Sequence, residues 1–225
     1  MNVLAIVFGV IVIVLVYVLY VYVFAAQTAT LAKNIYLGKQ TATINAADIT
    51  KPGSTAFNIS FWMYVNSWTN SNTPTVSLIS MNNGITKYWD FNIGGTTPTL
   101  SLAVGNDNVI ISNNIPIQKW CYVVVNVNNP YIDCYLDGKL VMSQKTSGIT
   151  APSPSDTSLK IDIGMNKLDV YLSNIQRLTS VVNPKDVWTT YMSTSNPTSI
   201  GPLASYNVQL SLLKDGAVNN TMSLY

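Results

Sequence analysis

The sequence predicts an all-β sandwich or barrel carried behind one N-terminal transmembrane α-helix. Three observations point there. Val3 to Ala26 is an apolar run with no charged residue. From Phe57 onward, short alternating runs follow one another between Asn/Gly/Pro/Ser clusters. Only one later stretch carries the signals of a soluble helix.

The first run, VLAIVFGVIVIVLVYVLYVYVFAA, has the length of a membrane span, since about 20 apolar residues at ~1.5 Å rise cross a ~30 Å hydrocarbon core. Its many β-branched residues do not oppose a helix, because in lipid the backbone must satisfy its own hydrogen bonds. Val3, Phe8, Val16, Tyr20 and Phe24 mark the expected anchor along residues 1–26, and Tyr17, Tyr20 and Tyr22 crowd the half nearer an interface. A signal peptide needs a basic leading region and a shorter core, which this run lacks. No Lys or Arg precedes the run, whereas Lys33 and Lys39 follow it. The positive-inside rule then places the C-terminal part in the cytosol, as a single-pass protein. The sequons at Asn58 and Asn219 matter only in the opposite orientation.

Residues 27–53 are small and polar and read as a stalk, with one strand expected in 34–37 or 41–44. The domain proper is expected over 54–195. Its runs are FNISFWMYV, TVSLISM, YWDFNIG, TLSLAVG, NVIISN, WCYVVVNV, YIDCYLDG, KLVMSQ, LKIDIGM and VYLSNIQRL. Strands of this length and spacing make a two-sheet sandwich or a barrel. WCYVVVNV and YIDCYLDG form a hairpin across Asn128-Asn129-Pro130, with Cys121, Val123, Val125, Val127, Ile132, Cys134 and Leu136 on the core face. Cys121 and Cys134 share that face four residues out of register, too far for a disulfide. They read as reduced core thiols, in keeping with a cytosolic domain. Asp137-Gly138 then turns the chain into KLVMSQ. Asn183 and Pro184 cap and open the one soluble helix, KDVWTTYM. Residues 196–225 add one more alternating run, SYNVQLSLL, and a turn at Lys214-Asp215-Gly216.

Composition narrows function by exclusion. Charged residues are 10% of the chain against about 25% in ordinary domains, so the surface is built from Asn, Ser, Thr and Gln. There is no histidine, all ten acids are aspartates, and Arg177 is the only arginine. Histidine-based nucleophile systems and ordinary zinc sites are thereby excluded. A net charge of +2 with one Arg gives no footprint for nucleic acid.

Five segments together resemble the concanavalin A-like lectin/glucanase superfamily in its laminin G-like form. They are FNISFWMYV, Lys119 to Val125, Tyr135-Leu136-Asp137-Gly138-Lys139, Ile161 to Gly164, and Leu172 to Leu178 followed by Pro184 to Tyr191. The resemblance implies a jelly roll of about a dozen strands over roughly 54–193. Lys185-Asp186 stands where the family commonly has a glutamate, and an Asp serves a helix N-terminus equally well.

The glycosidases of that superfamily resemble one another in using paired glutamates. This chain has none, and Asp133 and Asp137 straddle a turn, so no enzyme is expected. Sugar binding needs an aromatic platform beside fixed polar groups. Tyr88-Trp89-Asp90-Phe91-Asn92 and Gly105-Asn106-Asp107-Asn108 hold the residue types, but they read as core strand and hairpin turn. Asp107 is the one calcium candidate and brings too little charge alone, so no cofactor is expected. A charge-poor, membrane-anchored sandwich also resembles minor capsid or membrane proteins of large DNA viruses. The resemblance implies a virion structural protein that ties an internal membrane to its shell. Its partners would be membrane lipid and capsid proteins, and Trp68, Asn70 and Asn72 in the 66–75 loop are the expected contact patch. A membrane-anchored, lectin-like glycan-binding or adhesion protein is the alternative.

Overall fold

In a computed structural model of the chain, residues 11–16, 28–68, 75–194, 209–214 and 217–223 are described. Twelve strands form two six-stranded antiparallel sheets. The first sheet orders β1 (Thr28–Tyr36), β12 (Val170–Leu178), β3 (Ala56–Val65), β8 (Trp120–Asn128), β9 (Tyr131–Leu136) and β10 (Lys139–Lys145). The second orders β2 (Ala42–Asn45), β11 (Lys160–Ile163), β4 (Thr75–Asn82), β5 (Lys87–Gly94), β6 (Leu100–Val104) and β7 (Asp107–Ser112). The expected stalk is therefore no stalk. Its residues supply β1 and β2, an edge strand for each sheet, paired with β12 and β11. A separate hairpin pairs β13 (Gln209–Lys214) with β14 (Ala217–Ser223), one strand more than the alternation of the tail predicts.

Alternation builds the core. Phe57, Ile59, Phe61, Met63 and Val65 of β3 and Cys121, Val123, Val125 and Val127 of β8 point inward with Trp89, Phe91 and Ile93 of β5. Phe61 meets Phe91 edge to face, 5.3 Å between centroids, so the two sheets lock through aromatic packing. The β8–β9 hairpin has the predicted register, with Cys134 opposite Val125, so Cys121 and Cys134 are separate, free and buried. Burial pushes both thiols up to about 12. At that separation they cannot pair in any redox compartment, so their reduced state says nothing about the cytosol. Asp137 and Gly138 turn β9 into β10 with both φ angles positive, 48° and 78°, as a two-residue hairpin turn requires.

Helix α1 covers residues 11–16, exposed throughout, and no helix among the described residues is long and apolar enough to cross a membrane. Of the expected anchor residues, Val16 falls within α1, whereas Val3, Phe8, Tyr20 and Phe24 lie outside the described residues. Helix α2 (Pro184–Thr194) has the predicted cap. Asn183 Oδ1 accepts from the Asp186 N–H at 2.9 Å while its side-chain amide donates back to the Asp186 carboxylate. The helix buries Val187 and packs Tyr191 onto the outer face of the first sheet, over Trp62, Tyr122, Val124 and Tyr135. Asn126 fastens the approach to it. Its Oδ1 accepts from the Val182 N–H at 3.0 Å and its amide donates to the Val182 carbonyl at 2.6 Å.

Candidate functional site

The outer face of the first sheet carries a row of aromatic side chains beside α2. On β3 the inward positions are apolar, so the outward phase, Asn58, Ser60, Trp62 and Tyr64, should be polar throughout. It ends instead in two large aromatics. The same holds for Trp120 and Tyr122 on β8, Tyr171 on β12 and Tyr36 on β1. Register then lines four of them up, with Tyr36 opposite Tyr171, Tyr171 opposite Tyr64, and Tyr64 opposite Trp120. Ring centroids along the row are 4.4, 6.2 and 5.3 Å apart. All four residues are half-buried. They reach solvent where their neighbours Trp62 and Tyr122 are covered by α2.

Asp169 closes the row at the β1 edge. Its carboxylate accepts from Tyr36 Oη at 3.1 Å, Asn66 Nδ2 at 2.8 Å and Ser67 Oγ at 2.5 Å. The Ser67 bond first, then Asn66 and Tyr36, holds this carboxyl below the usual range, while the same contact raises the Tyr36 phenol. A carboxylate offers about four acceptor positions, so one remains for a ligand hydroxyl. Half-buried aromatic rings beside an ionised carboxylate, an amide and hydroxyls can hold a polyhydroxylated ring by apolar contact and directional hydrogen bonds.

The sites read from the sequence fall elsewhere. Trp68 is not an exposed loop tip. Its Nε1 donates to the Gly94 carbonyl at 3.0 Å and its ring packs on the core, because a half-buried indole gains a partner by folding back. Asn70 and Asn72 lie outside the described residues. Asp107 accepts from the Ser147 N–H and hydroxyl, and among the described residues no cluster of three metal-ligating side chains occurs. Trp89 and Phe91 are core and Gly105-Asn106 is the β6–β7 turn, as read. Asn58 of the first sequon is buried, donating to Asn126.

The outer face of the second sheet holds two buried aspartates, each beside a lysine. Lys87 lies 2.7 Å from Asp90 and Lys160 3.3 Å from Asp162. Burial pulls Asp162 upward, but bonds from Asn82, Thr43 and Lys160 outweigh it and hold the group low. A glycosidase needs one carboxyl shifted the other way.

Two six-stranded antiparallel sheets packed face to face define a concanavalin A-like sandwich. The chain belongs to the Laminin_G_3 family of the concanavalin A-like lectin/glucanases superfamily, whose family profile matches residues 37–199. No curated protein matches the chain. Among solved structures, the binding domain of botulinum neurotoxin serotype D is similar at 16% identity and TM-score 0.58, over 72% of this chain and 43% of that one. The serotype D ligand-binding domain in complex with N-acetylneuraminic acid matches at 15% identity and TM-score 0.56, over 75% and 46%. The binding domain of the DC toxin in complex with rat synaptotagmin II matches at 21% and TM-score 0.52, over 68% and 39%. The chain spans less than half of each of these, and the likeness is one of fold.

Proposed function

We propose that this chain is a non-enzymatic, membrane-anchored binding protein whose sandwich recognises glycan along Tyr36, Tyr171, Tyr64 and Trp120. The row itself carries the reading. Four large aromatics on the solvent phase of four adjacent strands contribute little to the core, and they end at a carboxylate with acceptor capacity to spare. Relatives of the same fold described with sialic acid or a protein receptor make a binding role the natural one. Asp162 is held ionised, which suits a structural ion pair and not an acid catalyst. Residues 3–26 supply the membrane attachment by length and hydropathy.

The test is a glycan array probed with the full chain in detergent, followed by titration of any hit. Trp120→Ala and Tyr64→Ala should each weaken binding at least tenfold with the fold intact by circular dichroism. Unchanged affinity in both variants sinks the proposal. The virion role, tying a membrane to a capsid shell, uses the same anchor but makes the opposite demand on sidedness. Lys33 and Lys39 favour a cytosolic sandwich, whereas a glycan receptor works on the far side of the membrane. Protease protection in sealed vesicles with the cytosolic face inside separates the two: a protected sandwich favours the virion role and a digested one the receptor.

A further inference from the structure

The strands of the first sheet all alternate in direction, so its two ends are sharply defined. Thr28 at the start of β1 lies opposite Leu178, and that level continues through Asn58, Asn126, Asp133 and Ser143. Two residues further out on the same end lie Ala56, Asn128, Tyr131 and Lys145. The β4–β5 turn, Asn83 to Thr86, falls there too. Asn82 is opposite Lys160, which is opposite Asn45, and β2 runs towards this end from the turn that follows Tyr36.

Three hydrophobic side chains are exposed at this end, Ile85 at 95% and Val181 at 43% in loops and Tyr131 at 52% at the start of β9. They do not contribute to the core and they sit on the side where the chain enters. Between Ala26, the last residue of the apolar run, and Thr28 stands only Gln27. A one-residue link reaches about 7 Å at most, comparable to the headgroup layer of about 5–7 Å on each side of the hydrocarbon.

We infer that this end of the sandwich rests on the bilayer surface, with Ile85, Tyr131 and Val181 entering the interface. The inference rests on the reading of residues 3–26 as an anchor. Partial insertion of a Tyr and two aliphatic side chains is what an interface accepts. Charge does not drive the contact. Lys51 and Lys145 are exposed at this end, but Asp48, Asp107 and Asp156 offset them, and Lys87 and Lys160 are taken by Asp90 and Asp162. The docking is therefore apolar and should survive high salt. A second consequence concerns the aromatic row. β1 is nine residues long and Tyr36 closes it, so the row stands about 26 Å up the sheet from the lipid, on the flank of the sandwich.

The experiment reconstitutes the full chain in phosphatidylcholine vesicles. Single cysteines replace Ile85, Tyr131 or Val181, or Ile117 at the opposite end as control, and each carries a fluorophore. Cys121 and Cys134 are buried and do not compete for label. After an alkaline carbonate wash, a lipid bearing a headgroup nitroxide should quench positions 85, 131 and 181 at least threefold more than 117, with the contrast kept in molar salt. Equal quenching in a chain that survives the wash overturns the docking and leaves the anchor standing. Contrast that vanishes in salt overturns the apolar attachment. A chain that washes off overturns the anchor, and the docking with it.

Discussion

Replacing Asn126 by Ala should undo more than one contact, because a single amide group closes a three-way junction. Its Oδ1 accepts from Asn58 Nδ2 at 2.8 Å and from the Val182 N–H at 3.0 Å, and its Nδ2 donates to the Val182 carbonyl at 2.6 Å. Each such neutral bond contributes about 0.5–1.5 kcal/mol net, and a buried group left without its partner loses more. Asn58 keeps a long contact to the Val125 carbonyl at 3.4 Å, so its amide is only partly orphaned. Three bonds near the middle of that range give about 3 kcal/mol. For a domain of this size, that is a fall in melting temperature of about 6–12 °C. Since Val182 leads directly into α2, the cover over Trp62 and Tyr122 should loosen as well. The assay is thermal unfolding of the full chain in detergent by tryptophan fluorescence, beside Asn128→Ala, an exposed neighbour on the same strand. A shift below 3 °C for Asn126→Ala, or one equal to the control, would refute the reasoning.

Further outcomes follow from burial and charge. Arg177 is 1% exposed and, among the described residues, has no carboxylate partner; its guanidinium donates to the Thr50 and Lys51 carbonyls and lies 5.1 Å from the Phe57 ring centroid, and desolvation lowers its pKa to about 10. Arg177→Met keeps the volume and removes a buried charge, so the unfolding midpoint should hold or rise; a fall beyond about 5 °C would mean that the loop bonds and the Phe57 ring contact dominate. Cys121 and Cys134, raised to about 12, should resist alkylation in the folded chain at pH 9 and react only on unfolding. Their neutral forms favour the fold below the free thiol pKa of about 8.5, and that contribution fades as pH rises towards 12. Mass-resolved labelling across a denaturant series reads both. Asp169 is shifted the other way, so its contribution is complete above about pH 4 and is lost as pH falls through its lower folded value. Glycan affinity should therefore be flat from pH 7 to 5 and drop only below about 4, whereas a drop near 6 would exclude Asp169 as the acceptor.

The elements that alternation and turn chemistry both specify were legible in the sequence. The β8–β9 register follows from Cys121, Val125 and Cys134 with the turn between them, and α2 from Asn183, Pro184 and Asp186. Of β1 and β2 only one was expected, in 34–37 or 41–44, where β2 lies; the pair was not legible, because TATLAKNIY and ATIN carry small polar residues that suit an edge strand as well as a linker. The aromatic row escaped for a different reason. Tyr36, Tyr64, Trp120 and Tyr171 are scattered over more than a hundred residues, and only strand order and a bulge at Asn174 bring them to one level. A signal did exist locally: Trp62, Tyr64, Trp120 and Tyr122 occupy the outward phase of strands whose inward phase is already apolar. Trp68 misled because an aromatic among Asn and Thr reads as exposed, whereas Gly94 offers its indole a carbonyl.

β1 enters the sheet as an edge strand aligned along its whole length with β12, through seven partnered positions from Thr28 to Tyr36. Tension applied at Thr28 along the strand, against a load held at the far end, therefore pulls the hydrogen bonds in shear. They share the load together and cannot open one after another like a zipper. A domain tethered in this way resists being drawn off its attachment most strongly in the direction of its own first strand, and yields more readily to a force that peels β1 sideways.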